Sequence, residues 1–460
     1  MQASSFLRKR VLVLGLGLHG GGVGVVRWLV KQGARVTVSD IKSRKELAPS
    51  LNLLRKLKFN YILGKHPLSL LSGCDLIVQN PGVPRELPLL RAARQQGIPI
   101  ENEASLFLKL APARLVVAIS GSKGKSTTTT MLGAMLKRQN ARSVVAGNIR
   151  DAVMFDVLSS VRPKTPVVLE LSSWHLEIIG KHKLKMPVAV LTNVLPEHLN
   201  RYRSMADYAR AKANLFRYQT KHDAVVMNYD NELSRRLARR APGQVYWFSL
   251  KHGVPQGAFV SKGKVWWRAG KVTSQLFSVS DVCVLGEHNL ANAMAAAAAA
   301  KLLSISNTNI RKALCSFKGL HDRLEFVRAW HGVRYINDTT ATAPAGTLAA
   351  LAALRGLPLV LIAGGTDKSL SYQELGKIIA RQCSAVVLLP GSATGKLQNV
   401  LRGFKSQFLA KNMQAAVGLA ARLSQRGGVV LLSPAAASFG LFQHEFDRGE
   451  QFVRAVKALS

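Results

Sequence analysis

The sequence predicts an α/β protein of three domains. Short β-rich runs alternate with helical patterns throughout, two strands run directly into glycine loops that open helices, and 460 residues is enough chain for two to four domains. The blocks fall at 1–111, 112–320 and 321–460. The first and last read as Rossmann-like, and the middle one as a phosphate-loop domain with a mostly parallel sheet. Ligands of such sheets bind at the carboxyl ends of the strands.

The first block starts with a strand from Arg10, a glycine loop and a helix to Lys31. Strands follow at 35–39 and 75–78, the latter leading into the turn Asn80-Pro81-Gly82. Arg8-Lys9-Arg10 before Val11 to Leu14 imitates a signal peptide. The apolar part is too short, however, and breaks at once into Gly15, Gly17, Gly20, Gly21 and Gly22. In the second block, strands are expected at 115–120, 166–171 and 187–192, with an Ala-rich helix at 291–303. The third block alternates strands at 333–336, 357–363, 385–389 and 429–432 with helices at 372–381 and 413–423.

No apolar run approaches the ~20 residues that span a bilayer, so no membrane insertion is expected. Cys74, Cys283, Cys315 and Cys383 form no CxxC pair, which points away from disulfides and zinc and toward a reducing, cytoplasmic setting. A net charge of +39 attracts polyanions. The cations are spread along the chain without a nucleic-acid-binding motif, so nucleic acid is not an expected partner. Anionic substrates and a general compositional bias both remain as explanations.

Gly15-Leu16-Gly17-Leu18-His19-Gly20 fits GxGxxG between strand and helix, with Asp40 closing the next strand. Such a loop brings a diphosphate close to a helix N-terminus, and the acid is placed for a sugar hydroxyl. The competing reading is that these glycines serve packing alone. The second loop, Ser120-Gly121-Ser122-Lys123-Gly124-Lys125-Ser126-Thr127, is a shorter phosphate loop, GxxGKST, with Ile119 where the longer pattern has glycine. Its amides and Lys125 suit the phosphates of ATP, and Ser126 or Thr127 suits Mg²⁺. Glu170 ends a strand and is placed either for Mg²⁺ or as a solvated loop acid. His198 follows another strand and by itself says little. On a helix expected at 205–218, Lys212 shares a stripe with Met205, Tyr208, Leu215 and Phe216. It either snorkels to solvent or is buried and then paired, deprotonated or modified.

Taken in order, these loops resemble the Mur ligase family over essentially the whole chain. The resemblance rests on GSKGKST (121–127), GNI (147–149), ELSS (170–173), the His198 loop, Ala211-Lys212, GEHNLAN (286–292), Asp322-Arg323-Leu324-Glu325, INDTTAT (336–342), LSPAAAS (432–438) and Phe446-Asp447-Arg448-Gly449. It implies a first domain for a UDP-sugar, a central ATPase and a C-terminal domain for an amino acid. It further implies that UDP-N-acetylmuramoyl-L-alanine is activated by ATP as an acyl phosphate and joined to D-glutamate.

The resemblance assigns Gly121, Ser122, Lys123, Gly124, Lys125, Ser126 and Thr127 to the ATP phosphates, Asn292 to adenine, and Arg323 and Asp338 to phosphate and ribose. Gly15, Gly17, Leu18, His19, Asp40, Asn80, Asn148 and His198 fall to the UDP-sugar, and Thr342, Lys368 and Ser438 to the amino acid. Two Mg²⁺ sites are implied, with Ser126, Thr127 and Glu170 at one and His198 at the other. Lys212 matches a lysine carbamylated in the family, and Lys125, Glu170, His198 and Lys212 become the catalytic set. A cytoplasmic monomer is expected.

The chain departs from the familiar pattern at Thr340, Ala343, Lys123, Glu197 and Asp322, where lysine, asparagine, asparagine, aspartate and histidine are usual. Amino-acid specificity is the property these changes place in question. A folylpolyglutamate-synthase-like ligase would lack the first domain. A nicotinamide-dependent oxidoreductase would leave the second loop idle. A nucleic-acid-binding ATPase would not use the carboxylate, imidazole and lysine around that loop.

Overall fold

The structure, a computed structural model, describes residues 3–18, 20–149, 152–197, 201–284 and 286–459. Backbone contacts divide it into two compact units. One comprises Met1–Val282 with Leu290–Ser316, and the other comprises Cys283–Asn289 with Phe317–Ser460. The expected boundary near residue 111 lies inside the first unit, and that near 320 lies close to the junction of the two. Among the described residues, no helix is long and apolar enough to cross a membrane.

The first unit holds two sheets. Five parallel strands lie in the order Asn60–Leu63, Arg35–Asp40, Arg10–Leu14, Leu76–Gln79, Ile100–Glu101. The strand order reverses direction between Arg10–Leu14 and Leu76–Gln79, so the glycine loop, the end of Asp40's strand and the turn at Asn80 sit side by side. Crevices of this kind receive ligands in open α/β sheets. The central strands are buried on both faces, from Val11 to Leu14 and from Leu76 to Gln79, which is why they read as nearly continuous Val/Ile/Leu runs.

In the nine-stranded sheet, Val116–Ser120 lies parallel between Val188–Leu191 and Val167–Glu170, with Val144–Gly147 beyond. The register sets Ile119 beside Glu170 and Ser120 beside Leu191, and Gly147 beside Glu170. The phosphate loop, Glu170, Asn148 and Thr192 therefore leave the same edge of the sheet. Ala293 and Ala295 to Ala300 of the helix Glu287–Leu302 are fully buried, their small side chains allowing tight packing. Two features differ from expectation. The helix bearing Lys212 is Met205–Ala213, so Leu215 and Phe216 are buried beyond its end rather than on its stripe. The sheet also gains Gly257–Ser261, parallel to Gln244–Ser249, and then Lys264–Ala269 and Val272–Ser278, each antiparallel to the strand before it. Their signal was present in the first turn, where Lys262 and Gly263 both take positive φ, as a two-residue hairpin turn requires.

In the second unit, Glu325–Trp330 pairs antiparallel with Val333–Asn337. Then come Val429–Leu432, Leu359–Gly364, Cys383–Leu389 and Gln407–Leu409, all parallel. The segments around Asp338, Ser433 and Thr366 leave the carboxyl ends of neighbouring strands. Arg448 locks them together from full burial. It donates to the Thr339 hydroxyl (3.0 Å), the Thr339 carbonyl (2.8 Å) and the Ala436 carbonyl (3.1 Å), and burial lowers its pKa to about 10.

Candidate active site

The helix Lys125–Gln139 begins at Gly124, whose φ of 83° lies in the left-handed region. A Cβ on Gly124 would come within 2.1 Å of Asn292 Oδ1, so glycine is demanded by both conformation and space. Asn292, assigned to adenine by sequence, thus packs on the phosphate loop, and Thr128 Oγ1 lies 3.4 Å from its Oδ1. The loop is braced by the segment after Leu191. Ser122 N donates to Asn193 O (3.0 Å) and Lys123 N to Asn193 Oδ1 (2.9 Å), while Thr192 Oγ1 donates to Lys123 O (2.6 Å). Lys125 folds back over the loop, its ammonium donating to the carbonyls of Gly121 (3.1 Å) and Ser122 (2.9 Å).

Lys212 does not snorkel. It is 1% exposed, donates to Gly121 O at 2.7 Å and lies 4.8 Å from the centre of the Tyr208 ring. Burial drives its pKa well below the ordinary lysine value, the nearby Lys125 adds to this, and Glu197 and Glu170 oppose it. Two lysines aimed at one carbonyl form a site that favours an uncharged or anionic group at Lys212. Tyr208, not singled out in the sequence, holds this arrangement through a 3.0 Å hydrogen bond to the Ser122 hydroxyl. Its signal was the same stripe that exposed Lys212.

Glu170 is 1% exposed, and Asn148 Nδ2 donates to its Oε1 at 3.4 Å. This brings an expected sugar-binding residue and an expected metal ligand together. Among the described residues, no three His, Cys, Asp or Glu side chains converge as a metal cage. The donors available are the Glu170 carboxylate and the Ser126 and Thr127 hydroxyls, all hard oxygens. That set fits Mg²⁺, which keeps several waters and takes only one or two protein carboxylates. His198 and His19 lie outside the described residues.

At the glycine loop, Asp40 bonds the loop's own backbone. Its Oδ2 accepts from the amides of Leu16 (2.8 Å) and Gly17 (3.1 Å), and its Oδ1 from Lys42 N (2.9 Å). The carboxylate thus fixes the loop itself. The Asn80 side chain packs against Gly15 and Gly17. Gly21 and Gly24 allow close packing on the central part of the unit. A Cβ on Gly21 would meet Glu103 Oε2 at 2.5 Å, and one on Gly24 would meet Val153 at 2.7 Å. Glu103 accepts from Met154 N (3.3 Å), and burial raises its pKa to about 7. Part of the glycine pattern therefore serves packing, while Gly15 and Gly17 belong to the crevice.

In the second unit, Lys368 Nζ donates to Thr342 Oγ1 at 3.0 Å, joining two residues assigned to the amino acid. Ser438 is 2% exposed, and no described group bonds its hydroxyl. Asp338 accepts from the Ser433 hydroxyl (2.8 Å) and Leu324 N (3.2 Å), and burial raises its pKa to about 7. Arg323 lies beside it and favours its charged form. Asp322, one of the departures, is buried and accepts from Asn337 Nδ2 at 3.0 Å.

Residues 9–102 match the Mur ligase MurD-like N-terminal domain, 119–300 the Mur ligase middle domain, and 322–436 the Mur ligase glutamate ligase domain. The UDP-N-acetylmuramoylalanine–D-glutamate ligase of Roseiflexus sp. (strain RS-1) is 41% identical, over 98% of this chain and 99% of its own. That of Koribacter versatilis (strain Ellin345) is 37% identical, over 98% of each chain. Among solved structures, UDP-N-acetylmuramate-alanine ligase MurC from Thermotoga maritima superposes with a TM-score of 0.63 at 20% identity, covering 98% of this chain and 99% of that one. MurF ligase from the same organism, in complex with ADP, gives 0.58 at 17% identity, covering 99% and 96%. At those identities the structures speak to the fold.

Proposed function

The chain belongs to the Mur ligase family, and from that premise we propose that it joins D-glutamate to UDP-N-acetylmuramoyl-L-alanine at the expense of ATP, in the making of a peptidoglycan precursor. The observation that carries this is the convergence at one sheet edge of the Lys125 loop, the Glu170 carboxylate and the buried Lys212, whose ammonium reaches Gly121 O at 2.7 Å.

The alanyl carboxylate attacks the γ-phosphorus of ATP, the bond from that phosphorus to the β–γ bridging oxygen breaks, and ADP leaves. The amine of glutamate then attacks the acyl-phosphate carbonyl and loses a proton, and the C–O bond to phosphate breaks. Phosphoryl transfer asks chiefly for position and for charge near the transferring oxygens. The amides of 121–127 cradle the phosphates, and Lys125 swings from the loop carbonyls to the phosphates. Mg²⁺, held by Glu170 and Ser126 or Thr127, supplies neutralising charge when bound. A carbamate on Lys212 would exchange a disfavoured buried ammonium for an anion facing Lys125, and His198 is assigned to a second metal. Gly15, Gly17 and Asn80 form the crevice for the UDP-sugar, with Asn148 beside Glu170. Asp40 shapes that crevice from within and is assigned to a sugar hydroxyl. Thr342, Lys368 and Ser438 receive the amino acid, and Arg323 and Asp338 serve the nucleotide. We further place the enzyme in the cytoplasm as a monomer, with the working boundaries at 111 and 320.

The test is phosphate release from ATP with UDP-N-acetylmuramoyl-L-alanine, screened over D-Glu, L-Glu and D-Asp. Release is expected with D-Glu and is expected to vanish in Lys125→Ala. A preference for another amino acid would move the chain to a sister ligase. Near-normal turnover in Lys125→Ala would refute the assigned phosphate site.

A further inference from the structure

The side chain of Lys123 lies in the middle of the phosphate loop and is 57% exposed, yet its ammonium is held 2.6 Å from Glu197 Oε1. Glu197 is itself 24% exposed and belongs to the segment that leaves the neighbouring strand Val188–Leu191. The backbone of that segment is already stitched to the loop. Lys123 O accepts from Thr192 Oγ1 (2.6 Å) and Asn193 Nδ2 (3.1 Å), and Leu195 N donates to Ser122 Oγ (2.9 Å). Pro196 has no amide to donate, so beyond Leu195 the tie becomes ionic.

The pair is too exposed to matter for stability, since surface ion pairs contribute about 0–1 kcal/mol. Its place decides what it does. The two loop residues before Lys123 both touch the catalytic cluster, Ser122 through the Tyr208 hydroxyl at 3.0 Å and Gly121 by accepting from Lys212 at 2.7 Å, so the pair adjoins that cluster. Three lysines (123, 125 and 212) surround the loop, and Glu197 fixes where the outermost of their charges rests.

We propose that Lys123 and Glu197 are a positioning pair for phosphoryl transfer, an ionic latch that holds the phosphate loop in register with segment 192–197. The inference rests on the ligase reading for its catalytic consequence, while the latch itself is a property of the chain. A misplacement of about 1 Å costs on the order of 10²-fold in such reactions, and a loosened latch is expected to lower kcat roughly five- to thirty-fold.

The experiment compares Lys123→Ala, Glu197→Ala, the double variant and Lys123→Arg. It reads kcat and KM for ATP, ADP affinity by calorimetry and amide hydrogen exchange of 121–125 and 193–197. A latch predicts that both single variants lose kcat and speed exchange in both segments. It also predicts that the double variant is no worse than either single one, and that Lys123→Arg restores both readouts. Multiplying losses in the double variant would overturn it. So would weaker ADP binding in Lys123→Ala alone with exchange unchanged, which would make Lys123 a simple phosphate contact. Absence of ADP release from the unaltered chain would count against the ligase reading and leave the exchange result to decide the latch.

Discussion

Glu103 offers a test of the seam inside the first unit. It begins the helix Glu103–Leu110, touches Gly21 and accepts from Met154 N, and burial lifts its pKa from an ordinary 4.5 to about 7, with Asp156 adding to the rise. The folded chain therefore keeps a proton that the unfolded chain releases between pH 4.5 and 7. Stability is whole below that window, falls as pH rises through it, and the full cost is present above it. At about 1.4 kcal/mol per pH unit, the cost reaches a ceiling of about 3 kcal/mol. A carboxylate in a helix's first turn recovers up to about 1 kcal/mol, so burial wins and about 2 kcal/mol remains. Glu103→Gln keeps an oxygen for Met154 N and removes the charge. The assay is urea unfolding followed by tryptophan fluorescence, since Trp28 sits 5.3 Å from Phe155 beside this seam. The variant should match the parent at about pH 4, below the window, and exceed it by about 2 kcal/mol at about pH 8.5, above it. An equal difference at both pH values, or a weaker variant at pH 8.5, would show that this carboxyl is not buried as described.

Gly124→Ala places a Cβ 2.1 Å from Asn292 Oδ1 at a φ of 83°. Strain of about 1–2 kcal/mol plus displacement of Asn292 should weaken ADP binding roughly tenfold or more by calorimetry, with unchanged circular dichroism. Unchanged affinity would mean that the loop does not hold the phosphates. Lys212→Met exchanges a buried ammonium for an apolar chain of similar length. It should unfold no more easily than the parent yet lose roughly 10²-fold or more in ADP release. Activity of the unaltered chain should fall in carbon-dioxide-depleted buffer and return with bicarbonate, and indifference to bicarbonate would rule out a carbamate.

Local chemistry was readable from residue order. A glycine loop between a β-rich run and a helical one must place amides at a helix N-terminus whatever surrounds it, so the loop at 121–127 and the alternation of strands and helices needed no coordinates. The stripe containing Tyr208 and Lys212 likewise identified a lysine on an apolar face. It could not settle whether that ammonium escapes to solvent, because burial depends on what packs above it. Only the parallel register of Val116–Ser120 between its two neighbours brings Gly121, Glu170 and Lys212 together from positions far apart in the chain. Asp40 shows the converse. Its spacing is that of a sugar-binding acid, and the fold adds contacts from its carboxylate to the amides of Leu16 and Gly17, set by a loop curvature that no spacing encodes. The burial of Glu103 and Arg448 and the pairing of Lys123 with Glu197 were invisible for the same reason. A side chain's charge is written in the sequence, while its solvation and its partner are set by elements that meet only when the chain folds.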